Sequence, residues 1–158
     1  MRSLLASSEQ LGDRVVKATL NDRLLAGLIA LGCVALLGVA AALEADPAGL
    51  NTHTRLGLPA CQWVEVLGIP CPTCGMTTSF SHAADGRVDR AFLTQPMGAL
   101  LAIGTAVTFW VAIFVAATGS RLGHFLLAFF NPTFLWIGAG LALVAWVYKI
   151  ISFTQGWG

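Results

Sequence analysis

Cys71-Pro72-Thr73-Cys74-Gly75-Met76-Thr77-Thr78 is the stretch of this sequence with the densest reactive chemistry. Two thiols at i and i+3 can close a disulfide or supply half of a thiolate metal site. A third thiol, Cys61, lies ten residues upstream of Cys71, and His82 lies eight residues downstream of Cys74. Pro72 suits the first turn of a helix, where its missing N–H costs nothing. The pattern therefore predicts a helix over 73–84, ending at Asp85-Gly86, with Cys71 at its start and Cys74 one turn in. The free N–H groups of a helix start favour a thiolate, so Cys71 is the expected reactive thiol.

Two readings of this cluster follow from its chemistry. In the first, Cys71 and Cys74 form a disulfide, static or catalytic, and Cys61 is the shuttle or resolving thiol. In the second, Cys61, Cys71, Cys74 and His82 form a Cys₃His set for zinc, or the thiolates hold Cu(I). His82 is the weaker member, because eight residues along a helix turn it about 80° from Cys74. A third reading has no chemistry: the motif is a turn in an assembly or accessory subunit of a membrane complex. The Thr77, Thr78, Ser79 and Ser81 hydroxyls would then cap turns or line a groove. Glu65 reads as a surface carboxylate, His53 as a solvated loop histidine, and Cys33, inside an apolar run, as an inert packing residue.

The elements that position the cluster are apolar. The chain has 158 residues, room for one domain, and is 56% hydrophobic and 11% charged, against about a quarter charged in soluble domains. A net charge of +1 offers no basic face for nucleic acid. The uncharged run at 24–43 is 20 residues long, enough to cross a roughly 30 Å hydrocarbon core. It is longer than a secretory leader's core and follows 23 residues, so it reads as a retained span. A second uncharged stretch, divided by Pro96, gives a span at 97–118. Asn131-Pro132, cap then first turn, opens a third at 132–151. Residues 44–96 form the loop that carries the motif, and 1–23 form a polar, amphipathic surface segment. Gly98, Ala102 and Ala106 make a small-residue stripe for helix packing. Lys149, near the end of the last span, is expected to snorkel to the interface.

The expected fold is thus all-α: an integral, multi-pass membrane protein, with the bilayer as its first partner and a homo-oligomer or larger complex as a further one. Basic residues are densest before the first span, at Arg2, Arg14, Lys17 and Arg23. That places the N-terminus in the cytoplasm and the motif loop outside the inner membrane, where disulfides persist.

Residues 58–100 resemble a family of small bacterial membrane proteins known only as a domain of unknown function. The family pattern is a cysteine, then Gly-x-Pro-Cys-Pro-x-Cys-Gly-x-Thr-Arg-Ala, then a glycine and Asn-Pro before an apolar helix. This chain has Cys61, then Gly68-Ile69-Pro70-Cys71-Pro72-Thr73-Cys74-Gly75-Met76-Thr77-Thr78-Ser79, then Gly86 and Gln95-Pro96. It departs from the pattern at Thr78, in place of arginine, and at Gln95, in place of asparagine. The resemblance implies a membrane location and a multi-helix anchor, and no particular activity.

Overall fold

The structure is a computed structural model that describes residues 19–120 and 131–156. The amphipathic segment expected at the N-terminus lies almost wholly outside the described residues. All the regular elements described are helices: α1 (Leu20–Ala42), a 3-10 helix (Thr52–Leu56), α2 (Gln62–Leu67), α3 (Met76–Ala84), α4 (Val88–Thr94), α5 (Pro96–Thr118) and α6 (Pro132–Thr154). Three of them, α1, α5 and α6, are long and apolar enough to cross a membrane.

Local chemistry explains where these helices begin. Thr19 caps α1 in a reciprocal box: its hydroxyl accepts from the Asp22 N–H, and the Asp22 carboxylate accepts from the Thr19 N–H at 2.9 Å. Pro96 and Pro132 open α5 and α6, and the Asn131 side chain accepts from the Thr133 N–H. Gly119, at φ 68°, closes α5, whose last carbonyls receive Arg23: Nε donates to Ala116 O at 2.9 Å and Nη2 to Ala117 O at 3.2 Å. A cation at a helix C-terminus satisfies orphan carbonyls and complements the helix dipole. The contact also fixes α1 antiparallel to α5.

The core is built from small side chains. Ala26, Ala30 and Ala40 of α1 and Ala99, Ala102, Ala112 and Val115 of α5 are buried, while the large aliphatic residues of all three long helices face outward. That inversion is what lipid requires, since tails solvate leucine as well as a protein core does. Gly98 belongs to the small stripe, but it faces the motif: a Cβ there would stand 2.9 Å from Ser79 Cβ. The short α3 thus seats against α5, and it also packs on α1 and α4.

Helix α6 has few contacts with α5 and attaches instead through polar side chains to the motif loop. Trp146 Nε1 donates to Pro70 O at 3.0 Å, and Tyr148 OH donates to Leu93 O at 2.9 Å. Lys149 does not snorkel. It is 1% exposed, and its Nζ donates to Gly49 O and to Thr94 O, each at 3.1 Å. A buried ammonium needs such acceptors, and here two carbonyls at the ends of loop segments need donors equally.

Gly75 sits directly against this clamp at φ 83°, and an added Cβ would stand 2.7 Å from Gly49 O and 3.2 Å from Lys149 Nζ. Gly75→Ala should therefore destabilise the fold by at least about 2 kcal/mol, combining left-handed strain with displacement of the clamp. Gly138→Ala, on a helix with open space around the site, should be neutral or slightly stabilising. Thermal unfolding of both variants in detergent, followed by tryptophan fluorescence, checks the contrast.

Candidate functional site

The motif is a turn that precedes a helix. Residues 72–75 form turns, Gly75 is the left-handed N-cap, and α3 starts at Met76. The helix expected from residue 73 begins three residues later, because a residue at φ 83° cannot lie inside it. Neither Cys71 nor Cys74 therefore sits on the first turn of a helix, and the argument for Cys71 as a dipole-stabilised thiolate loses its basis. The cysteine at a helix start is Cys61, the N-cap of α2.

Three sulfurs converge. The Sγ atoms of Cys61, Cys71 and Cys74 all lie within 4.8 Å of one another. Cys71 and Cys74 are the tightest pair, with Cys71 Sγ donating to Cys74 Sγ at 3.2 Å, and Thr73 Oγ1 lies 3.3 Å from Cys71 Sγ. All four cysteines, Cys33 included, are free thiols. The disulfide expected between Cys71 and Cys74 is accordingly not formed here, since an S–S bond needs about 2.05 Å.

Several contacts hold this arrangement. Gln95, buried at the start of α5, donates from Nε2 to Pro72 O at 3.3 Å. Trp146 holds Pro70 O on the other flank and packs edge-on against Trp63 of α2, centroids 6.2 Å apart. Below the turn, α3 carries three fully buried hydroxyls. Thr78 Oγ1 pairs with Thr52 Oγ1 at 2.8 Å. Ser79 Oγ reaches Ala91 O and Gln95 O, and Ser81 donates to Leu43 O. Thr78 is thus an internal strut of the fold.

The environment separates the thiols. Burial pushes the Cys74 thiol up, and its hydrogen bonding with Cys61 and Cys71 pushes it further. Burial also opposes ionisation of Cys61, but the Cys74 thiol donates to it. The Val64 and Cys71 N–H groups and the Cys71 thiol add to that support, and together they bring Cys61 down to about 7. Cys61 is therefore substantially thiolate at neutral pH, while Cys74 keeps its proton.

His82 is not brought to the sulfurs. It lies outside the close group and faces the charged stretch after α3. Burial first, then Arg87, lowers its pKa, and its Nδ1 is buried without a partner. The histidine that shares a cavity with the cysteines is His53, whose Nε2 lies 3.1 Å from Pro59 O. The cavity, about 580 Å³ in volume, has Cys61, Cys71 and Cys74 in its wall and aliphatic residues of α1 over much of the rest. Its polar groups are few: His53, Thr73, Thr77 and the thiols. Sequence spacing carries no signal for His53, because only the folding of the 3-10 helix onto α3 brings it there.

A family model described as "Protein of unknown function (DUF2752)" matches residues 61–117. That segment starts at Cys61, contains all three converging thiols and runs to the penultimate residue of α5. The chain is therefore similar to this uncharacterised family over the motif and the helix behind it. No curated protein matches, and no solved structure does.

The thiol ranking is open to direct test. Cys61 should alkylate fastest of the three, with a rate that rises through a midpoint near pH 7, because the thiolate is the reacting form. Cys74→Ala removes a donor to that thiolate, so the midpoint should move up and the rate at neutral pH should fall. Isotope-coded iodoacetamide labelling with peptide mass spectrometry across a pH series reads both effects.

Proposed function

We propose that this protein is a membrane-embedded thiol–disulfide carrier whose redox pair is Cys71 and Cys74. The observation that carries the reading is the convergence of three sulfurs within 4.8 Å of one another, two of them in one four-residue turn. Closing the pair from 3.2 Å to a bond needs a shift of only about 1.2 Å. Oxidation removes two electrons and two protons from the two thiols and forms one S–S bond. The difficult proton is that of buried Cys74, and the Cys61 thiolate that it already faces is the acceptor for it. Cys61 thus activates the pair toward oxidation, and the closed pair passes its disulfide to the dithiol of a client: one client thiolate attacks a sulfur of the Cys71–Cys74 bond, and the second client thiol resolves the mixed disulfide and returns both cysteines as thiols.

The density of basic residues up to Arg23 supports a cytoplasmic N-terminus, and on that reading the motif faces outside the membrane, where disulfides persist. An impermeant maleimide added to intact cells after reduction should therefore label the motif cysteines.

The same convergence favours one second reading, a three-thiolate metal site. Sulfurs around a tetrahedral zinc, with bonds of about 2.3 Å, stand roughly 3.8 Å apart, between the 3.2 Å of the closest pair and the 4.8 Å limit of the group. A fourth ligand would have to come from outside the cysteine set, since His82 is not in the group.

One experiment separates the readings. Diamide should convert purified protein to a Cys71–Cys74 disulfide that dithiothreitol reverses. Cys61→Ala should form the same disulfide about tenfold more slowly at pH 7, recovering at higher pH as Cys74 ionises unaided. Protein that purifies with one zinc or copper per chain, and whose thiols react only after a chelator is added, would transfer the site to the metal reading.

A further inference from the structure

We infer that the cavity beside the thiols binds the ring of a lipid-soluble quinone, which serves as the electron acceptor for the Cys71–Cys74 pair. This rests on the redox reading above and names the oxidant that reading requires.

The place of the cavity within the fold limits what can fill it. Leu36 and Val39, near the motif end of α1, and Leu101, near the motif end of α5, line it and are about half exposed. These are apolar residues of two helices long enough to span a membrane, so a mouth rimmed by them opens toward the bilayer. Its volume, about 580 Å³, is in the range of small-molecule sites, roughly 300–1,000 Å³. An occupant arriving from lipid must be apolar, whereas a wall with three thiols calls for a two-electron acceptor. Quinones combine both properties. The Thr73 and Thr77 hydroxyls and the His53 ring are the sparse polar groups that a pair of ring carbonyls would use.

The reaction balances without another participant. The S–H bonds of Cys71 and Cys74 break, and one S–S bond forms. Two electrons pass to the quinone, and its two carbonyl oxygens each take one proton to give the hydroquinone, which leaves by the lipid mouth. No metal or soluble cofactor enters the step.

The test uses the full chain, reduced and freed of reductant in detergent, with decylubiquinone as probe and diamide as a quinone-independent oxidant. One decylubiquinone should be reduced per chain, with a Cys71–Cys74 disulfide as the matching product. Leu101→Trp and Val39→Trp, each bringing an indole to the mouth from an exposed position, should slow this at least about tenfold, and their diamide reaction reports whether each variant is folded. If diamide forms the disulfide and decylubiquinone does not react, the quinone proposal is overturned and the redox reading stands. Equal quinone rates in wild type and both tryptophan variants would also overturn it, because the cavity would not be the route. If neither oxidant yields a disulfide, the redox reading itself falls.

Discussion

The ammonium of Lys149, buried behind the Cys74-Gly75 turn, is the contact on which the arrangement of the site depends. It joins Gly49 O, at the end of the loop after α1, to Thr94 O, at the end of α4, and it does so from α6. Three segments far apart in sequence meet at one cation, with Gly75 pressed against it. A charge in such a place is costly unless it is fully bonded, and removing it would leave two carbonyls without a donor. The interaction thus specifies position: the turn with the thiols can sit only where the clamp allows. Trp146 and Tyr148, on the same end of α6, bind Pro70 O and Leu93 O and repeat the logic on either side.

This explains the division of labour among the long helices. The pair α1 and α5 is joined by alanine packing and by the Arg23 cap, which suits lipid, where apolar contact between helices gains little from water. The third, α6, has little of that packing and is retained by hydrogen bonds to a loop. Those bonds lie at the level of the motif, where the backbone is irregular and its carbonyls are unpaired. An irregular segment near a membrane is tolerated only where its polar groups find partners in protein. The tail of α6 and the hydroxyls of α3 supply them.

What could be read from the sequence follows the range of the forces involved. The spans were legible because twenty apolar residues in a row have one physical use, and the starts of α5 and α6 because proline and asparagine act locally. The three thiols were legible as a group from spacing and residue type. The start of α3 was not, because Gly75 could have been an ordinary helical residue. Its surroundings, where Gly49 O and Lys149 leave no room for a side chain, come from segments distant in the chain. Lys149 was misread for the same reason: one cation near the end of an apolar run looks like a residue bound for the interface, and its acceptors are 100 and 55 residues away in the chain. His82 entered the set as its weaker member, with helical angle against it, and His53 read as a solvated loop histidine, because it reaches the cavity only through tertiary folding.

The thiols themselves form a coupled set, and this bears on how the pair would behave once oxidised. Cys61 is buried enough to resist ionisation, and the Cys74 proton is foremost among the contacts that overcome this. A Cys71–Cys74 bond consumes that proton and the Cys71 proton with it. Cys61 would then keep the Val64 and Cys71 N–H groups alone, and its thiolate would be less favoured than before. The third thiol is therefore most fully ionised while the pair is reduced, and less of it is thiolate once the pair is closed. Internal attack that would reopen the disulfide as a Cys61 mixed species is weakened by the oxidation itself. A three-thiol cluster built this way favours delivery of its disulfide to an outside dithiol over scrambling within the cluster.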